Sequence, residues 1–280
     1  MPLFESTSGV RVAAYDFGGD GPPLLLSHAT GFHAHVWTAL ARELSPRFHC
    51  YAFDQRAHGH TETPAGLDLA WEGIADDAVA AVSGLGLEQP FGVGHSSGAA
   101  ALLIAEATRP GTFRSLYGYE PVILPMDPPP GPSTENPLAG GAERRRDVFP
   151  SKDPAYDNYA SRGPFAVLRP DVLRAYVDHG FEYTGASDGS VRLKCRPANE
   201  AQMYRMGSAH RAYALLSEVK CPVTLTHGGE TDAIGAAVIA AQAAALADVQ
   251  TEELEGLGHF GPLQDPAAVA ESISRAFTGR

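Results

Sequence analysis

The feature that most constrains this chain is a repeated switch between short apolar runs and helical spacing. Residues 24–26 are all leucine, and residues 10–17, 48–54, 91–94, 113–119, 223–227 and 249–254 have the character of further strands. Between them, Trp71, Ile74, Ala75, Ala78, Val79 and Val82 recur three and four apart. Residues 36–44, 97–108, 235–246 and 267–277 also read as helices. A strand covered on both faces shows as an unbroken apolar run rather than an alternation. Strands that alternate with helices close into a mostly parallel sheet with helices on both sides. The expected fold class is therefore α/β, a doubly wound, mostly parallel β-sheet.

The alternation breaks once. Residues 121–170 hold 11 of the 22 prolines, and 126–137 read as irregular chain. Helical spacing returns at 171–177 and 199–216 before the next strand begins after Lys220-Cys221-Pro222. Charge changes at the same limits: 121–216 carry +1 net in a chain of −12. Residues 1–120 and 217–280 are thus expected to form the core, with 121–216 inserted as a helical cap. Ten of the 18 arginines lie in the insertion. They read mainly as a solvated, salt-bridged surface, Arg144-Arg145-Arg146 included.

A balance of −12 with only three lysines disfavours nucleic acid and anionic membranes as partners. No apolar run approaches the roughly 18 residues of a spanning helix. The segment Met1-Pro2-Leu3-Phe4-Glu5 has no leader character, so a cytoplasmic location is expected. Cys50, Cys195 and Cys221 are too scattered for a disulfide framework or a zinc site and read as buried thiols. The composition sets no oligomeric state.

Gly94-His95-Ser96-Ser97-Gly98 falls where a short strand ends and a helix begins. A sharp turn there forces the central residue into strained backbone and lifts its hydroxyl to a helix N-terminus, where amides favour negative charge. Ser96 is the expected nucleophile. A serine needs a base and an orienting carboxylate. His259, in the glycine-rich loop 256–262 between the last strand and the last helix, lies at the same sheet edge. His227, His49, His179 and His210 read as strand-end or surface histidines. Asp232, in a glycine-rich turn after residues 223–227, is the preferred acid. Glu120, directly after 113–119, is its competitor, and Glu230 comes third. Two amides must face the developing oxyanion, and those of Thr30 and Ser97 are the expected pair. The histidines at 28, 33 and 35, and at 58 and 60, lack the spacing of a hydrolytic zinc site, so no metal is expected.

These motifs together resemble the α/β-hydrolase superfamily, specifically its small capped serine hydrolases of esterase and lactonase type. The likeness runs through His28-Ala29-Thr30-Gly31-Phe32 to Trp37, Asp54-Gln55-Arg56-Ala57-His58-Gly59-His60-Thr61, Gly94 to Gly98, Asp232 and Gly258-His259-Phe260. The resemblance implies a triad of Ser96, Asp232 and His259 with no cofactor. Ala29 and Ala57 stand where the family commonly has glycine. Relatives that open epoxides or cleave carbon–halogen bonds carry aspartate at the position of Ser96.

The expected function is hydrolysis of a carboxylic ester or lactone through an acyl-enzyme on Ser96. Carbon–carbon bond hydrolysis, thioester hydrolysis and slow-turnover ligand sensing use the same residues. Phe32, Phe165, Tyr204 and Met206 are the expected substrate contacts. They imply a small-molecule partner that is apolar and of moderate size.

Overall fold

Leu24, Leu25 and Leu26 lie in a strand with a hydrogen-bonded neighbour on each side and helices above and below, which is why all three are apolar. The computed structural model of the protein describes residues 1–278. Its first part comprises β1 (Leu3–Glu5), β2 (Arg11–Gly18), β3 (Pro23–Ser27), α1 (Thr38–Leu44), β4 (His49–Phe53) and α2 (Trp71–Gly84). β5 (Phe91–His95), α3 (Ser97–Thr108) and β6 (Ser115–Tyr119) follow. The inserted stretch holds α4 (Pro137–Glu143), β7 (Val148–Phe149), α5 (Lys152–Ala160), α6 (Pro170–Gly180), β8 (Phe181–Tyr183), β9 (Val191–Leu193), α7 (Pro197–Met206) and α8 (Ala212–Leu215). The chain then resumes with β10 (Val223–Gly228), α9 (Ala236–Ala244), β11 (Val249–Leu254), α10 (Gly261–Gln264) and α11 (Pro266–Phe277).

Eight strands form one sheet in the order β1-β2-β4-β3-β5-β6-β10-β11. β1 and β2 pair antiparallel, β2 pairs antiparallel with β4, and every later pair is parallel. β5, β6 and β10 are buried along their whole length, whereas the edge strand β11 is half-exposed. α3 is mostly apolar because it is buried all round: every residue from Ser97 to Ala107 is inside, and its one carboxylate, Glu106, accepts from the amides of Gly111 and Phe113. No helix among the described residues is long and apolar enough to cross a membrane.

The stretch between β6 and β10 is less purely helical than the sequence suggests. β7, β9 and β8 form a small antiparallel sheet. Strands of two or three residues offer too short a period to read. The single helix expected over 199–216 is two, α7 and α8, parted at 207–211. Arg145 also departs from expectation. Arg144 and Arg146 are exposed, but the Arg145 side chain is only 13% exposed and pairs with Glu200 at 2.7 Å.

Histidines fill much of the seam between this stretch and the sheet. His35 stacks on His179 at 3.8 Å between ring centroids, and His33 Nε2 donates to the Tyr176 carbonyl at 3.0 Å. Lys194 Nζ donates to His60 Nε2 (2.8 Å) and to the His179 carbonyl (2.7 Å). Tyr15 lies between His60 Nδ1 and Asp54, its hydroxyl 2.8 Å from the former and 2.7 Å from the latter. Burial lowers His33 to about 3 and His35 to about 4, with His179 opposing the charge on both. His60 and His179 shift the same way despite Asp54, Glu182 and Asp178.

These groups are neutral when folded but take protons when unfolded, so the stability they contribute is complete above the unfolded value. It is lost as pH falls from about 6.5 toward 3. The melting temperature should therefore drop on acidification from pH 7 to 5, with His33 alone worth about 2 kcal/mol. Scanning calorimetry of His33→Asn with His35→Gln should show a flatter profile over that range. An unchanged slope would remove the seam as its source.

Candidate active site

The turn from β5 into α3 places Ser96 at φ 57° and ψ −119°, the left-handed backbone that a side chain adopts only under strain. Its amide donates to the Tyr119 carbonyl at 2.9 Å, and its own carbonyl accepts from Ala100 at 3.1 Å as α3 begins. Gly98 lets that helix start close to β3: a Cβ there would lie 2.3 Å from the Ser27 carbonyl oxygen and 2.4 Å from that of His28. Ser96 thus stands, half-buried, above the carboxyl ends of β3, β5 and β6.

His259 reaches the same edge on a loop held by its carbonyls. The buried His95 donates from Nε2 to the His259 carbonyl at 2.8 Å, and the Tyr119 hydroxyl donates to that of Gly258 at 2.7 Å. Burial, followed by the charge of His259, holds His95 well below the usual histidine range, so it serves as a neutral brace.

The carboxylate that meets His259 is not the preferred Asp232. His259 Nδ1 lies 2.6 Å from Oε2 of Glu120, a fully buried carboxylate at the end of β6. Asp232 is exposed. The glycine-rich turn that suggested Asp232 instead wraps its neighbours around Glu120. The Gly228 amide donates to Oε1 at 3.1 Å, and the Thr231 hydroxyl (2.8 Å) and Ile234 amide (3.3 Å) donate to Oε2. Burial alone would raise the Glu120 carboxyl. The hydrogen bond and charge of His259, with the Gly228 and Thr231 donors, outweigh it and hold the group below its ordinary value. Glu120 itself sits at φ 47°. Directly behind it, Gln242 Nε2 donates to the carbonyls of Pro121 (2.8 Å) and Ile123 (2.9 Å).

The loop after β3 is fixed by buried side chains. His58 Nε2 accepts from the Gly31 amide at 2.9 Å, His28 Nε2 accepts from Gln55 at 3.0 Å, and Asp54 Oδ1 accepts from Ala34 at 2.8 Å. These histidines act as struts. Among the described residues, no group of three or more His, Cys, Asp or Glu is arranged to hold a metal ion. Thr30 Oγ1 donates to Ser97 Oγ at 3.0 Å, which ties this loop to the first residue of α3. Ala57 occupies its turn at φ 63°, the conformation for which glycine is the easier choice.

An aromatic wall continues from His259. Phe260 packs on it at 5.3 Å between centroids, Phe32 on Phe260 at 5.8 Å, and Phe165 on Phe32 at 5.5 Å. Tyr176 meets Phe32 at 5.4 Å and Phe165 at 4.9 Å. Of the expected substrate contacts, Phe32 and Phe165 share this wall. Tyr204 packs against Ala139, Ala142 and Ala201 inside the insertion, and Met206 against the cluster containing Trp71 and Met203. Tyr176, which the sequence also offers as a pocket residue of the insertion, shares the wall, whereas Phe260 and Arg145 lie outside the expected contacts. Phe260 adjoins His259 in sequence, a signal that was there to be used.

The sheet order, the strained serine at the β5–α3 turn and the His259–Glu120 pair define a hydrolase architecture built on an α/β sheet. The Alpha/beta hydrolase family matches residues 24–272, and the chain belongs to that family. It is 25% identical over 262 residues to 2-(acetamidomethylene)succinate hydrolase of Mesorhizobium japonicum, covering 91% of this chain and 88% of that protein. It is likewise 25% identical over 260 residues to N-formylmaleamate deformylase of Pseudomonas putida, covering 93% and 90%. The crystal structure of an E-2-(acetamidomethylene)succinate hydrolase superposes with a TM-score of 0.79 at 24% identity, over 97% of this chain and 98% of that one.

Proposed function

We propose that this protein is a serine hydrolase that cleaves a carboxylic ester or lactone through an acyl-enzyme, with Ser96 as nucleophile, His259 as base and Glu120 as the orienting acid. The observation that carries this reading is the 2.6 Å contact of His259 Nδ1 with a buried, multiply hydrogen-bonded carboxylate. With Nδ1–H engaged there, Nε2 is left as the basic nitrogen. His259 takes the hydroxyl proton as Ser96 Oγ bonds to the carbonyl carbon, and the amides of Thr30 and Ser97 receive the oxyanion. The same proton passes to the alkoxide as the ester bond breaks. Water, activated by His259, then releases the acid and restores Ser96.

Residues 121–216 act in this reading as a cap over the strand ends, and Phe32 and Phe165 contact the substrate. The support is the aromatic wall that joins Phe165 of the insertion to Phe260 beside the base. Covering the site excludes water and supplies the apolar grip. Phe165→Ala should shift the preferred acyl length across a series of p-nitrophenyl esters, with relative kcat/KM changing about tenfold between short and long members. An unchanged profile would remove Phe165 from the substrate wall.

Cleavage of a carbon–nitrogen bond is a second reading. It is favoured by the two relatives aligned over nine-tenths of the chain, whose names describe an acetamidomethylene compound and an N-formyl compound. A panel of matched esters, lactones, thioesters, amides and a dienoic ketone, assayed for steady-state turnover, decides between them. Ester or lactone turnover dominating supports the first reading; amide turnover dominating supports the second. A stalled single turnover would mark a sensor.

A further inference from the structure

The insertion brings one charged pair down onto the oxyanion loop. A Cβ on Gly31, which has φ +83°, would lie 2.6 Å from Glu200 Oε1 and 3.6 Å from Arg145 Nη1. Gly31 follows Thr30, whose hydroxyl is bonded to Ser97 beside the nucleophile. The Arg145 guanidinium also faces Phe165 and Tyr159, each at 5.1 Å from the ring centre, and Tyr176 at 5.8 Å. Phe165 and Tyr176 belong to the wall that runs to His259. The pair therefore borders the same space as the proposed acyl site.

Arg145 is almost fully committed. Nη1 donates to both Glu200 oxygens, at 2.8 and 2.7 Å, Nε donates to the Tyr159 hydroxyl at 3.2 Å, and Nη2 donates to the Tyr176 hydroxyl. Glu200 is buried, its side chain 6% exposed. A lone buried arginine beside an acyl site would be a receptor for a carboxylate, which it meets with two parallel hydrogen bonds. Here Nη1 is already taken by the protein's own carboxylate, and Nε and Nη2 by two tyrosine hydroxyls.

We infer that Glu200 is a specificity-determining residue: by occupying Arg145 it selects uncharged acyl groups and rejects those that end in a carboxylate. The inference rests on the proposed acyl-transfer reading for its substrates. A substrate carboxylate arriving at this wall meets an occupied guanidinium and, behind it, a like charge in a place with little water. An uncharged chain meets aromatic faces and two tyrosine hydroxyls. Discrimination of this kind works by building repulsion against the wrong partner.

The test compares p-nitrophenyl pentanoate with mono-p-nitrophenyl glutarate, equal in acyl length and differing in the terminal methyl or carboxylate, with rates corrected by the Ser96→Ala background. The native protein should favour the pentanoate in kcat/KM by about tenfold or more, and Glu200→Gln should erase or invert that preference. Parity or a preference for the glutarate in the native protein overturns the inference, as does a folded Glu200→Gln protein with the native ratio. The native comparison stands even where the variant fails to fold.

Binding provides an arm without turnover. Ligand-observed NMR on Ser96→Ala should show pentanamide binding more tightly than glutaramate, and the added Glu200→Gln change should reverse the order. Tighter glutaramate binding by Ser96→Ala sinks the role of Glu200. Absence of ester turnover with the pentanamide preference intact sinks only the acyl-transfer reading.

Discussion

Replacing Ser96 by alanine should abolish covalent labelling by a fluorophosphonate and lower kcat by about 10⁴-fold or more. The expectation follows from the backbone. Ser96 alone among the described serines combines the φ 57°, ψ −119° turn with a place at the start of a buried helix and beside the His259 loop. Ser97, one residue on, is buried and bonded to Thr30, so it is no substitute. Intact-mass spectrometry reads the label directly. An adduct that persists on the Ser96→Ala protein removes this serine as nucleophile. Because Ala fills the turn with less side chain and the same backbone, the variant should fold, and its melting curve provides the control.

Glu120→Gln should cost about 10³- to 10⁴-fold in kcat, while Asp232→Asn stays within about threefold of the native protein. The amide of glutamine keeps the shape but offers the wrong group to His259 Nδ1 and leaves the imidazolium without its counter-charge. Three donors from the 228–234 turn are also aimed at the carboxylate and would lose an acceptor for which they are positioned. The Glu120 value is held low in the fold, so its contribution to stability is present above the ordinary glutamate range. That contribution disappears as pH falls through the folded value. Glu120→Gln should accordingly lose stability near neutrality and show less acid sensitivity below about pH 4.5. Should Asp232→Asn prove the more damaging of two folded variants, the acid is Asp232 after all.

The sheet was legible because its signals are local. Leu24 to Leu26 and the Ala/Leu-rich α3 can be read without knowing what they touch, and Ser96 is marked by small neighbours within five residues. The carboxylate partner of His259 was legible only as a choice between two loops. Both loops end at the same sheet edge, and the deciding fact is which carboxylate crosses from β6 past β10 to meet His259. Nothing short-range encodes that crossing. Still, a glutamate directly after a fully buried strand is a costly placement that invites explanation. Arg145 escaped for a different reason. In sequence it is the middle of three arginines, and only the fold turns its two neighbours out and its own side chain onto Tyr159, Tyr176 and Glu200. The three short strands of the insertion carry no pattern that could have announced them.

Glu120 is the last residue before the chain leaves the sheet, and Gln242 grips the carbonyls of Pro121 and Ile123 immediately after it. The grip works as a strain relief of the kind fitted where a cable enters its housing. With the chain held there, a change in the insertion beyond Ile123 has less purchase on the carboxylate that meets His259. The insertion can thus differ in length without disturbing the register of Glu120 with His259, the proposed acid and base.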